Sequence, residues 1–142
     1  MAYPVSPYQK TGGLVFFARM IDKIHLHARG SLPADYEAFL HKGFNAWMCE
    51  YLEVDYADLA RAVIEGKLDA EAALEWCYAR RGRALNATQI KAWNVYARLF
   101  GQQGEAAAAL ARSAASASLG GRGIETFFEL FATEEGHPKP RA

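Results

Sequence analysis

Apolar residues recur at helical spacing along most of this chain, and the polar residues and glycines between them mark where helices start and stop. The first run extends from Leu14 to Arg29 and ends at Gly30. In it Leu14, Phe17, Ala18, Ile21, Ile24 and Ala28 gather on one side at about 100° per residue. A second run begins near Pro33, a residue suited to a first helical turn, and carries Tyr36, Phe39, Leu40, Phe44, Trp47, Met48, Tyr51 and Leu52. Asp55 caps a third helix, with Tyr56, Leu59, Ala60, Val63 and Ile64 in period until Gly66. Asp69 caps a fourth, with Ala73, Leu74, Cys77 and Tyr78 inward and a stop at Gly82. Asn86 and Gln89 form the pattern of a capping box for a fifth helix, which presents Trp93, Tyr96, Ala97 and Phe100. Gly101 and Gly104 set off the Ala/Ser-rich segment 105–119, which favours helix but offers little to bury and so is expected at the periphery. A last short helix carries Phe127, Phe128, Leu130 and Phe131.

No window alternates apolar and polar residues long enough for a convincing strand, and no internal repeat occurs. Pro4, Pro7 and the pair Gly12-Gly13 give the beginning the character of an extended arm that packs Tyr3 and Tyr8 on the body. The pattern therefore predicts an all-α fold, a single-domain bundle of six to seven helices over residues 14–135. An extended arm over 1–13 precedes it and a flexible tail over 136–142 follows.

Composition narrows the class without naming a function. Of the 142 residues 51% are hydrophobic and 13% aromatic, enough to build a real core. Sixteen basic side chains balance sixteen acidic ones, which leaves no basic surplus for nucleic acid. No apolar run is long enough to cross a bilayer, and the amino terminus lacks the basic-then-apolar order of a signal peptide. A cytoplasmic location is the expectation. Cys49 and Cys77 sit among apolar helical neighbours and read as core thiols. Metal-ligand spacings are missing, since His25 and His27 lie about 200° apart around a helix. The glycine pairs lack the strand a dinucleotide site needs, and Arg80, Arg81 and Arg83 suit a helix carboxyl end. No metal or cofactor is expected.

The chemistry concentrates in the first helix. Arg19, Asp22, Lys23, His25 and His27 interrupt an otherwise apolar run, and charges on a buried helix are costly unless paired. The projection places His25 on the apolar face, with Asp22 and Arg19 on its flank, in reach of a shared network. Two readings stand side by side. In one the cluster is structural, with Asp22 neutralising Arg19 and orienting His25. In the other Asp22 and His25 are an acid–base pair, Arg19 and Lys23 bind an anionic group, and Phe44, Trp47 and Asn45 complete the pocket. Gly43 falls inside the second run, where it permits a close helix crossing, a local break or room for a ligand.

The same residues carry a resemblance. Ser6-Pro7, Gly12-Gly13, Arg19-Met20-Ile21-Asp22-Lys23 and Gly30 with Leu32, followed by Leu74-Glu75-Trp76, Trp93-Asn94 and Phe127-Phe128, resemble an uncharacterised bacterial family of domains of unknown function (DUF5069). The likeness covers most of the chain, and the Arg-x-Ile-Asp-Lys core is its most specific part. Family members often carry an aspartate near the position of Asn45, where this chain departs. The resemblance implies a small cytoplasmic helical domain and brings no reaction, substrate or cofactor. The functional expectation is a small-molecule-binding domain that acts as a cofactor-independent lyase, isomerase or hydrolase. The alternative is a non-catalytic interaction module or homodimer that uses surplus aromatic surface.

Overall fold

The chain enters as an extended arm that runs into a tight hairpin, β1 (Lys10–Thr11) and β2 (Leu14–Val15), paired antiparallel with Thr11 opposite Leu14. Gly12 and Gly13 form its two-residue turn with φ of 54° and 84°, values that suit glycine. A side chain at Gly12 would also collide with Leu74, since an added Cβ would lie 2.6 Å from a Leu74 methyl. The hairpin was not expected, because two residues per strand are too few to show alternation. It also moves the start of the first helix from Leu14 to Phe17. The structure, a computed structural model, describes residues 2–140; Met1, Arg141 and Ala142, at the ends of the expected arm and tail, lie outside the described residues.

Among those residues the fold has seven α-helices: α1 (Phe17–Ala28), α2 (Gly43–Leu52), α3 (Tyr56–Gly66), α4 (Ala70–Arg81), α5 (Ala87–Leu99), α6 (Gly104–Ser116) and α7 (Phe127–Glu135). The caps sit where the polar residues placed them. Asp55 and Asp69 accept from the amides of Asp58 and Ala72, and Asn86 and Gln89 close a full capping box. The second run divides, however. Ala34–Phe39 forms a 3-10 helix, and α2 starts only at Gly43, whose φ is 57°. Nothing lies within 4 Å of a Cβ built on Gly43, so it marks a break in the chain and not a close helix crossing.

Helix α1 is the centre of the bundle and packs against α3 and α4. Phe17, Met20, Ile21, Ile24, Leu52, Leu59, Val63 and Phe128 are buried in one continuous core. Burial of a side chain of this size is worth about 1.5–3 kcal/mol, which is why α1 is fixed from several sides. Helix α5 clamps the hairpin to this core. Trp93 donates its indole N–H to the Val15 carbonyl at 2.9 Å, and Asn94 accepts from the Val15 amide and donates to the Gly13 carbonyl. Helix α6 lies at the edge, as its small side chains predicted, and touches mainly α7.

Candidate functional site

The two halves of the charged stretch on α1 face different surroundings. Arg19 and Lys23 are buried, whereas Asp22 and His25 are half-buried and His27 is exposed. Arg19 and Lys23 are four residues apart, about 40° around the helix, and so share a face. Asp22 and His25 share the next one. The expected Arg19–Asp22–His25 network does not form, and His25 does not enter the core. Asp22 accepts the Val5 amide at 2.9 Å and thereby pins the arm, while the His25 Nε2 meets the Leu68 carbonyl at 2.6 Å. Both line a shallow groove bounded by the arm and the α3–α4 connection.

Arg19 pairs instead with Glu135, at the last turn of α7. The guanidinium grips both carboxylate oxygens, at 2.7 and 2.6 Å, and also donates to the Val5 carbonyl. The Tyr36 hydroxyl donates to the same carboxylate at 2.6 Å, and His137 approaches it at 3.2 Å while its ring nitrogen also meets the Pro4 carbonyl. The Glu135 side chain is fully buried, so this convergence of donors is what makes its charge tolerable there. One carboxylate thus joins the arm, the 3-10 helix, α1 and the carboxyl-terminal residues. Sequence reasoning missed Glu135 because an acid in Thr-Glu-Glu-Gly reads as an ordinary solvated helix end. His137 draws the first residues of the expected tail back onto the arm.

Lys23 has no such partner. Among the described residues it forms no ion pair within 4 Å. Its Nζ lies 5.2 Å from the centroid of the Phe16 ring, a cation–π contact. Burial, reinforced by the neighbouring Arg19 charge and opposed by Glu135, pushes its ammonium from the ordinary 10.5 down to about 7. Phe16 itself is held in the left-handed region, φ 73°, immediately before α1, with its ring packed on Phe44 and Phe128. A bulky residue there costs about 1–3 kcal/mol, and the fully buried ring offsets it.

Lys23 borders a cavity of about 330 Å³ between α1, α2, α7 and the 3-10 helix. Its walls are aromatic. Phe44 meets Trp47, Phe100 and Phe131 edge to face, and Trp47 meets Phe100, at 4.9–6.1 Å, and Phe127 joins the lining beside Phe100 and Phe131. Asp35, Lys42 and Glu134 stand at its rim; burial and the nearby Glu135 and Asp35 hold the Glu134 carboxyl above the usual range. The break at Gly43 separates the 3-10 helix from α2, and both line the opening. Phe44 and Trp47, two predicted pocket residues, are therefore brought together with Arg19 and Lys23.

Asn45 is not. It is buried away from the cavity and donates to the Leu40 carbonyl, which braces the break before α2. This is a polar residue holding a loop.

Arg19, Asp22, Lys23 and Phe127 are among the residues that carry the resemblance, and the family match spans residues 1–137. The chain belongs to the DUF5069 family, a domain of unknown function. No curated protein matches it in sequence. For this DUF5069 domain the Arg-x-Ile-Asp-Lys core has three structural destinations: Arg19 to the Glu135 hub, Asp22 to the arm, and Lys23 to the aromatic cavity.

Proposed function

We propose that this DUF5069 domain binds a small molecule in the cavity beside Lys23 and carries out acid–base chemistry with that amine. One observation carries the reading: a buried lysine with no ion-pair partner among the described residues lines an aromatic cavity of a size suited to a compact ligand. Leaving a cation unpaired in the core is costly, and sites that retain such groups are candidates for function. An amine that titrates near neutrality is poised to give and take protons at physiological pH. Both terminal nitrogens of Arg19 are committed to Glu135 and Lys42 stands at the exposed rim, so Lys23 is the buried amine placed to meet an acceptor or anionic head, with Phe44 and Trp47 against the apolar body. Asp22 and His25, the pair expected to do the chemistry, then serve to fasten the arm and the α3–α4 connection.

The test is a thermal-shift screen of small carboxylic acids and aromatic metabolites, repeated on three variants. Hits should be lost in Lys23→Met and retained in Asp22→Asn and His25→Asn. Ligands that still bind Lys23→Met but fail to bind the Asp22 and His25 variants would place the site in the other groove and overturn this reading.

The interaction-module reading retains one supporting observation. Val95, Tyr96 and Leu99 on α5 are each about half exposed, at 50%, 50% and 51%. Sedimentation at rising concentration tests it, and a monomer throughout would remove its support.

A further inference from the structure

We infer that Lys23 captures aldehydes or ketones as a covalent imine inside the aromatic cavity. The inference rests on the reading of that cavity as a small-molecule site and adds the class of molecule it takes. Three features favour a carbonyl over a simple anion. The carboxylate nearest in chemistry, Glu135, is already occupied by Arg19, Tyr36 and His137, so the amine is not tied up as an ion pair. The amine stands over the Phe16 ring at the end of an apolar chamber, where an uncharged carbonyl compound enters with little desolvation cost. The pocket offers no bidentate fork such as a phosphate or a second carboxylate requires, because both terminal nitrogens of Arg19 are held by Glu135 and only its buried Nε is without a partner among the described residues. Burial supplies the remaining condition, since a lysine pushed down to about 7 is in good part a free amine at neutral pH, where an ordinary one is charged.

The step balances without an oxidant or reductant. The nitrogen lone pair adds to the carbonyl carbon and forms the C–N bond, and the C=O π pair moves to oxygen. One proton passes from nitrogen to that oxygen, giving a carbinolamine. The nitrogen then loses its second proton, the hydroxyl departs as water with a proton, and the C=N bond forms. Amine and carbonyl give imine and one water. Glu134, whose carboxyl is held above the usual range at the rim of the same cavity, is suited to carry the proton to the leaving hydroxyl.

Benzaldehyde with sodium cyanoborohydride at neutral pH is the probe, read by intact mass and peptide mapping. Among the lysines the expected result is a benzyl group on Lys23 in preference to the exposed Lys10, Lys42, Lys67, Lys91 and Lys139, with a labelling rate that rises through about pH 7. Any label on an α-amino terminus, which is also a free amine near neutrality, is counted separately in the peptide map. Lys23→Met should lose the label and remain folded. Label spread evenly over the exposed lysines overturns the proposal. Benzaldehyde that shifts the melting temperature through the cavity yet leaves Lys23 unlabelled overturns the imine alone and leaves the binding reading standing. Neither shift nor label overturns both.

Discussion

Replacing Lys23 by methionine should stabilise the protein, by an amount that depends on pH. Methionine keeps the length and apolar body of the side chain and deletes the ammonium. In the folded protein that ammonium titrates near 7, against an ordinary 10.5 in the unfolded chain. At about 1.4 kcal/mol per pH unit the difference corresponds to about 5 kcal/mol against folding. The contact with Phe16 returns about 1–2 kcal/mol of this, and relaxation of the site returns some more. The expected net gain for Lys23→Met at about pH 6 is therefore about 2–4 kcal/mol. The sign follows from linkage: a lysine depressed by folding opposes stability fully below its folded value of about 7. The opposition fades as pH rises toward 10.5, because the unfolded chain there loses its advantage in proton binding. Urea denaturation of both proteins at about pH 6 and pH 9.5 is the assay. At the lower pH the variant's midpoint should lie about 1–2 M higher. At the higher pH the gap should shrink to about 1 kcal/mol or less. A destabilised variant at pH 6, or a gap that does not move with pH, would refute the reasoning, since it would mean that the amine is stabilised in its charged form.

Glu135→Gln should cost about 3–5 kcal/mol in the same denaturation assay, because it leaves the Arg19 guanidinium buried without its counter-charge. A loss below about 1 kcal/mol would show that the hub is not a stabilising element. Asn86→Ala removes one arm of the α5 capping box and should cost about 1 kcal/mol, read as a drop of about 2–4 °C in Tm. Burial pushes the Cys49 and Cys77 thiols up to about 12, so iodoacetamide at about pH 8 should label neither in the native protein and both in urea; rapid native labelling would contradict their burial.

Most helix ends were legible because their signals are local. A carboxylate or amide three residues ahead of an orphan N–H, or a glycine at a left-handed position, acts within one turn, so Asp55, Asp69, Asn86 and Gly82 mark their helices without tertiary help. The hairpin was not legible, since it depends on Trp93 and Asn94, about eighty residues away, to receive its backbone groups. The second run looked like one helix because apolar period continues through Phe39–Phe44. Only the left-handed Gly43 and the Asn45 bond to Leu40 divide it.

The sequence by itself determined an all-α domain, a largely apolar first helix, and the concentration of unusual charge on that helix. Only the tertiary structure decided what each charge meets. Helical periodicity fixes angles between side chains on one helix, but not the neighbour that each angle points toward. Asp22 and His25 were the nearest partners in sequence, yet Glu135, 116 residues from Arg19, became its counter-ion, and Lys23 has none among the described residues. The electrostatic cost of a buried charge depends on groups brought in from α7, the arm and the 3-10 helix. That is why the candidate site moved about a quarter-turn around α1 once the chain was folded.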